Sequence, residues 1–183
     1  FSYDTTEGEQ LEVRMGVSFV SVENARLNLE AEQQERSFDD IRAAARRSWN
    51  DDLGRIRVEG GTDAQKKVFY TGLYHALIHP NVLSDVNGEY PAMESAEIRT
   101  AEGNRYTVFS LWDTYRNLHQ LMTLVYPERQ LEMVRSMIGM YKEWGWLPKW
   151  ELYGRETFTM EGDPAIPVIV DTWMKGLRDF DMD

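Results

Sequence analysis

A chain of 183 residues with 42% hydrophobic and 28% charged residues has the composition of ordinary globular sequence, sized for one or two domains. Its formal net charge of −11 repels phosphate backbones and anionic membranes, so nucleic acid is not an expected partner. The absence of cysteine excludes disulfides, zinc–thiolate sites and thiol nucleophiles, and no apolar run approaches the ~18 residues that span a bilayer.

Residues 1–20 read as β. From Leu11 the odd positions are Leu11, Val13, Met15, Val17 and Phe19, alternating with Glu12, Arg14, Gly16 and Ser18. That period of two marks a half-buried strand. Phe1 and Tyr3 suggest a strand before it, with a turn at Glu7-Gly8. Two strands are marginal alone, so they are expected to finish a sheet whose other strands lie elsewhere. A chain opening directly in strand-like sequence, without Met, is expected to be a piece of something longer. Residues 21–36 then predict a linker helix, with Val22, Ala25 and Leu29 on one face.

From Ser37 to Asp183 the reading is helical. The first helix is expected over about 38–53, with Ser37 and Asp40 as a capping box and Ile41, Ala45, Trp49 and Leu53 on one face. The second, about 63–79, opens on Thr62 and Gln65 and stops at Pro80. The third runs about 111–126 from Ser110 to Pro127. The fourth runs about 128–144, with Leu131, Val134, Ile138 and Tyr141 on one face and Gly145 at its end. The fifth starts near 163–167 and ends near Gly176. Two connections are long, one before Ser110 and one after Gly145. If the helices alternate up and down, both emerge at the same end, and long elaborated loops there predict a ligand mouth.

Each long connection combines Trp, carboxylate and Arg, in Trp112-Asp113 with Arg116 and in Trp150-Glu151 with Arg155-Glu156. Sugar sites use this chemistry: a carboxylate accepts hydroxyl protons, Arg donates, and an aromatic face covers the apolar side of the ring. Plainer roles compete. Asp113 could cap the third helix as the last residue of an S-x-x-D box, or pair with Arg116 one turn on. Trp112 could be core, and Trp150, Glu151 and Glu156 could be packed or solvated. His75 and His79 lack the adjacent Glu and third ligand of a zinc hydrolase, and Asp85-Val86-Asn87-Gly88 reads as a tight turn rather than a calcium loop.

The segments VRMGVSFVSVENARLNLEAE at 13–32, FYTGLYHALIHPN at 69–81, SDVNGEY at 84–90, TVFSLWDTYR at 107–116, GWLPKWELYGRET at 145–157 and MEGDPAIPVIVD at 160–171 together resemble glycoside hydrolase family 92. These are calcium-dependent exo-α-mannosidases. The resemblance implies a mostly α fold: the last strands of a β-sandwich at 1–20, a linker helix at 21–36, and the start of an (α/α)6 barrel at 37–183. It implies that Asp113 and Arg116, with Trp112 beside them, hold the terminal mannose, and that Trp150, Glu151 and Glu156 line the same site. It implies inverting hydrolysis of mannose-containing glycans and a periplasmic or extracellular setting. The acid, the base and the calcium ligands are expected beyond Asp183, so this chain alone is expected to be inactive, to depend on the rest of the polypeptide and to carry neither catalytic nor metal-ligating residues. Arg155 stands where Asn is expected, and Thr159 and Pro164 where relatives often have Cys and His. A non-catalytic helical carbohydrate-binding or interaction module, or another (α/α)6 hydrolase such as a trehalase-like enzyme, would share the bare pattern.

Overall fold

The computed structural model describes residues 2–182; Phe1, invoked for the first strand, lies outside them. The helices are α1 (Val22–Gln33), α2 (Phe38–Leu53), α3 (Asp63–Ala76), α4 (Leu111–Thr114), α5 (Leu118–Val125), α6 (Pro127–Trp144) and α7 (Ala165–Met174). Between α3 and α4 lie β1 (Asn81–Val82), β2 (Glu89–Pro91), β3 (Ile98–Thr100), β4 (Tyr106–Thr107) and β5 (Phe109–Ser110); between α6 and α7 lie β6 (Trp150–Leu152) and β7 (Arg155–Glu156). Among the described residues no helix is long and apolar enough to cross a membrane.

The expected strands before residue 20 are not formed among the described residues. A strand needs a ladder partner, and none runs beside this segment. Its alternating side chains stay exposed, Val13 to 78% and Met15 to 73%. Residues 14–17 instead run along α1: Asn28 Nδ2 donates to Val17 O at 2.8 Å and Arg14 Nη1 to Gln34 O at 3.0 Å. Gly16 permits that approach, because a Cβ there would collide with Ala25 O.

Helix α1 forms as expected, capped by Ser21, and Ala25 and Leu29 of its predicted face are half-buried, but its most buried side chains are polar. Asn24 and Asn28 point inward while Val22 is exposed. The reason is what α1 packs against, a turn carrying carboxylates rather than an apolar layer. Asp85 accepts from Ser18 Oγ at 2.6 Å, Asn24 Nδ2 at 2.8 Å and Asn28 Nδ2 at 2.6 Å. Val86 N donates back to Asn28 Oδ1 at 2.9 Å. The turn closes through Gly88 N to Asp85 O at 2.8 Å, with Gly88 in the left-handed region at φ +83°. The Asp85–Gly88 segment is thus the tight turn its sequence predicts, pinning α1 to the helical layer.

Both predicted capping boxes are present, Ser37 with Asp40 and Thr62 with Gln65. Ala45 of α2, on the predicted apolar face, is exposed. α3 stops at Ala76, short of the predicted 79, so His79 leaves the helix and sets Nδ1 3.1 Å from Asn81 Oδ1. The third predicted helix is broken: α4 and α5 are separated at Tyr115–Asn117, where Asn117 has φ −155°. The break serves two cores. Leu111 enters a cluster with Phe109, Met133, Met137, Met140 and Val168, while Leu118 and Leu121 join Leu73, Met122 and Tyr126. One straight helix could not aim both rows. In α6 the buried arc is Met133, Val134, Met137 and Met140, and Tyr141, on the predicted apolar face, is 52% exposed. The Met row and the Leu131/Ile138 row share the same helical period, so spacing alone does not choose between them.

Helices α5, α6 and α7 pack mutually, and a polar relay crosses their core. His119 Nδ1 lies 3.0 Å from Gln130 Oε1, Gln130 Nε2 donates to Thr172 Oγ1 at 2.9 Å, and Thr172 Oγ1 donates to Val168 O at 2.7 Å. Burial pushes the His119 imidazole down to about 4, opposed by its bond to Gln130. The unfolded chain takes up this proton below about 6.5, the folded chain only near 4. Between those values the unfolded state binds more protons, so this contribution is complete above the upper value and is lost as pH falls toward the lower, roughly 3 kcal/mol in all. His119→Leu is expected to flatten the fall in urea-measured stability between pH 7 and pH 4.5 by roughly that amount. An unchanged slope would contradict a buried neutral imidazole.

Candidate functional site

The two long connections meet in one sheet. β5 pairs antiparallel with β6 in the register Phe109 to Glu151 and Ser110 to Trp150, and β6 pairs with β7. Leu111 N donates to Lys149 O at 3.3 Å, so α4 springs directly from the strand that borders the second loop. The single turn of α4 and the 150–156 hairpin therefore lie on the same side of the helical layer. The hairpin turns at Tyr153-Gly154, both with positive φ (+52° and +81°), the twist that two-residue hairpins favour. Phe19 stacks on Tyr153 with ring centroids 4.6 Å apart, bringing the N-terminal segment to the hairpin.

Asp113 is exposed. It does not cap α4, because Ser110 makes no side-chain cap to the backbone; the Ser110 hydroxyl donates to the Asp113 carboxylate instead. Nor does Asp113 pair with Arg116. The Arg116 guanidinium lies 4.9 Å above the Trp112 ring and 5.1 Å from that of Tyr115, with Nε donating to Trp112 O at 3.3 Å. Its terminal nitrogens make no hydrogen bond among the described residues. Aromatic stacking preorients a guanidinium while leaving its donors free. Trp112 is half-buried beneath it. Asp113 and Arg116 thus present free acceptor and donor capacity on one small turn.

The other two predicted carboxylates face inward. Glu151 is fully buried and accepts from Thr107 Oγ1 at 2.8 Å, Val108 N at 3.1 Å and Gly154 N at 2.5 Å. Burial raises its pKa, against the lowering effect of the bonds from Gly154 and Thr107. Glu156 accepts from Lys149 N at 2.7 Å, Trp150 N at 3.0 Å and Phe158 N at 2.9 Å. Irregular loops leave backbone N–H groups without ladder partners, and a carboxylate is the strongest acceptor available to them. Glu151 and Glu156, expected to line the site, accept donors from both long connections and fix the hairpin. Trp150 is half-buried beside them, and its buried Nε1 has no hydrogen-bond partner.

Two further residues complete the frame without having been singled out from sequence. Glu94, from the first connection, accepts from Glu156 N at 2.7 Å and Arg155 Nη1 at 3.1 Å. Arg155 therefore braces the hairpin at the position where Asn was expected. Thr107 joins both loops, donating to Glu151 and accepting from Tyr153 N at 2.8 Å. Between them Val108 sits at φ +62°, a conformation that costs a β-branched residue on the order of 1–3 kcal/mol. Glu151 holds its N–H there. Glu94 lay in no recognisable pattern; Thr107 lay inside the TVFSLWDTYR block, where its hydroxyl was the available signal.

Among the described residues no group of three or more His, Cys, Asp or Glu could hold a metal ion. Asp85, Glu151 and Glu156 are occupied by N–H and O–H donors, so they do not form a cation cage.

Residues 24–183 match the model of the glycosyl hydrolase family 92 catalytic domain. A family 92 α-mannosidase of Bacteroides thetaiotaomicron, whose structure has also been solved with mannoimidazole, is 37% identical with a TM-score of 0.85, over 90% of this chain and 22% of that one. A family 92 inverting mannosidase of the same bacterium is 35% identical with a TM-score of 0.84, again over 90% and 22%. A protein of Arthroderma benhamiae described as an uncharacterized secreted glycosidase is 25% identical over 174 residues, 93% of this chain and 18% of that protein. The chain thus spans only 22% of the solved relatives and 18% of the fungal one.

Proposed function

The chain belongs to glycosyl hydrolase family 92, and from that premise we propose that it is part of an exo-acting, inverting α-mannosidase that removes terminal α-linked mannose from glycans. Asp113 accepts protons from ring hydroxyls of the terminal sugar. Arg116, braced on Trp112, donates to the same oxygens. Trp150 closes the side of the pocket, and Glu151 and Glu156 act from behind by fixing the hairpin. The observation that carries this reading is the pairing of Ser110 with Trp150, which sets the α4 turn beside the second loop.

In the same proposal, residues 1–20 would become terminal strands of a β-sandwich once partner strands from the rest of the polypeptide pair with them, with 21–36 the link and 37–183 the start of an (α/α)6 barrel. Unpaired apolar side chains such as Val13 and Met15 would then meet the rest of that sandwich. The acid, the base and the calcium ligands implied by the family resemblance would lie elsewhere in the polypeptide. The secreted fungal relative supports an extracellular or periplasmic setting.

Proton NMR of mannose freshly released from an aryl α-mannoside by the whole protein tests this. The β anomer is expected first, because single displacement inverts the centre. Initial release of the α anomer would contradict inversion. Release of glucose from α,α-trehalose, with no mannose from any α-mannoside, would favour the trehalase-like alternative. Tight mannose binding without turnover of any substrate would favour a non-catalytic module.

A further inference from the structure

The geometry points to His119, acting through the Thr114 hydroxyl, as the positioning residue that sets the α4 turn bearing Trp112 and Asp113. The inference rests on the sugar-gripping role proposed for that turn. α4 spans only Leu111–Thr114, too short to hold its own direction by helix hydrogen bonds. At its start it is anchored by the strand pairing of Ser110 and by Leu111, which is fully buried. At its end the chain leaves helical geometry before α5 begins. There the Thr114 hydroxyl lies 3.1 Å from Ser110 O and 3.2 Å from His119 Nε2.

The proton directions follow from the far end of the relay. Thr172 gives its hydroxyl proton to Val168 O, so it accepts the Gln130 amide N–H. That turns Gln130 Oε1 toward His119, and Nδ1 must carry the imidazole proton. Burial keeps the ring neutral, so Nε2 is an acceptor, and the single Thr114 hydroxyl proton is shared between Ser110 O at 3.1 Å and Nε2 at 3.2 Å. His119 is 1% exposed, and Gln130 and Thr172 are 0%. A broken link would strand a polar group away from water, so the relay is stiff. It runs from α7 through α6 and α5 to the residue that follows Asp113. A rotation of Thr114 large enough to break its bond to His119 carries the Asp113 carboxylate with it, and reacting geometries are sensitive to shifts of about 1 Å.

The test is made in the whole protein. Thr114→Val keeps the side-chain shape and removes the donor. It is expected to lower kcat on an aryl α-mannoside by about tenfold or more, with the protein still folded at the assay temperature. Thr114→Ser, which restores the hydroxyl, is expected to recover most of that loss. Wild-type kcat and KM in Thr114→Val would overturn the inference, and so would a Ser variant no better than Val. If Thr114→Val does not fold, the ring itself supplies the second arm. His119→Gln places an acceptor near the Nε2 position, whereas His119→Asn reaches only the Nδ1 position and leaves the Thr114 hydroxyl held by Ser110 O alone, without its tie to the relay. Gln is expected to outperform Asn in kcat by about tenfold, and equal values would overturn the inference. If Asp113→Ala abolishes turnover while Thr114→Val is unaffected, only the positioning role fails. If Asp113→Ala is itself active, the sugar-gripping reading fails.

Discussion

Asp113→Ala in the whole protein is expected to lower kcat/KM for α-linked mannosides on the order of 10²-fold to 10³-fold while leaving stability nearly unchanged. The two halves of that expectation have separate physical grounds. A carboxylate accepting from two sugar hydroxyls makes charge-assisted bonds of roughly 1.5–3 kcal/mol each, and truncation loses both along with the alignment they impose. Stability is spared because Asp113 is exposed and its side-chain partner is the hydroxyl of Ser110, three residues away. Surface changes of this sort fall within roughly 0.5 kcal/mol. Asp113→Asn, which keeps acceptor oxygen but not charge, should fall between wild type and Ala. Unchanged mannose release in Asp113→Ala would remove the carboxylate from the site.

Glu143→Ala should have the opposite profile, with a stability loss of about 3–5 kcal/mol and no dependence on substrate. Glu143 sits near the end of α6 and pairs with Arg105 at 2.9 Å, with side chains only 4% and 5% exposed. It also accepts from Tyr90 OH at 2.8 Å and Met93 N at 2.8 Å. The Arg105 guanidinium lies 4.7 Å over the Tyr90 ring, and the lack of a side chain at Gly139 leaves it room. Removing the carboxylate strands a buried cation, a hydroxyl and a backbone N–H together. Burial, with the bond to Glu143 adding to it, pushes the Tyr90 phenol up to about 12, so Tyr90 remains a donor across the working range. Glu143→Gln, retaining one acceptor, should cost less. Urea denaturation gives both values, and a loss below about 1 kcal/mol for Ala would mean that this pair does not tie the first connection to α6.

The helices were legible where their signals are local. Ser37, Thr62, Pro127 and Gly145 stop or start helices by groups they carry themselves, and each does so here. What spacing could not reveal is partnership. Asn24 and Asn28 face inward because Asp85 lies opposite, and the break after Thr114 exists because two cores pull the chain apart. Strands of two or three residues, such as β5 and β7, are too short for a period of two to register. The N-terminal alternation illustrates the converse, a strand pattern without the pairing that makes a strand.

The candidate site was legible to the same depth. Loop lengths and the Trp–carboxylate–Arg pairings pointed to one mouth, and the β5–β6 pairing joins them. Sequence could not say which carboxylates face out. Asp113 follows a tryptophan and so does Glu151, yet one reaches solvent and the other is sealed under Thr107 and Val108. That difference is set by unpaired backbone N–H groups that exist only once the hairpin has folded.

A crystal structure of the whole protein with mannoimidazole bound would test the shared pocket directly. The expected result is the sugar-like ring beside α4, its hydroxyls within about 3 Å of the Asp113 carboxylate and the Arg116 guanidinium, with Trp150 at its side. A ring seated elsewhere, with Asp113 and Arg116 facing only water, would contradict it.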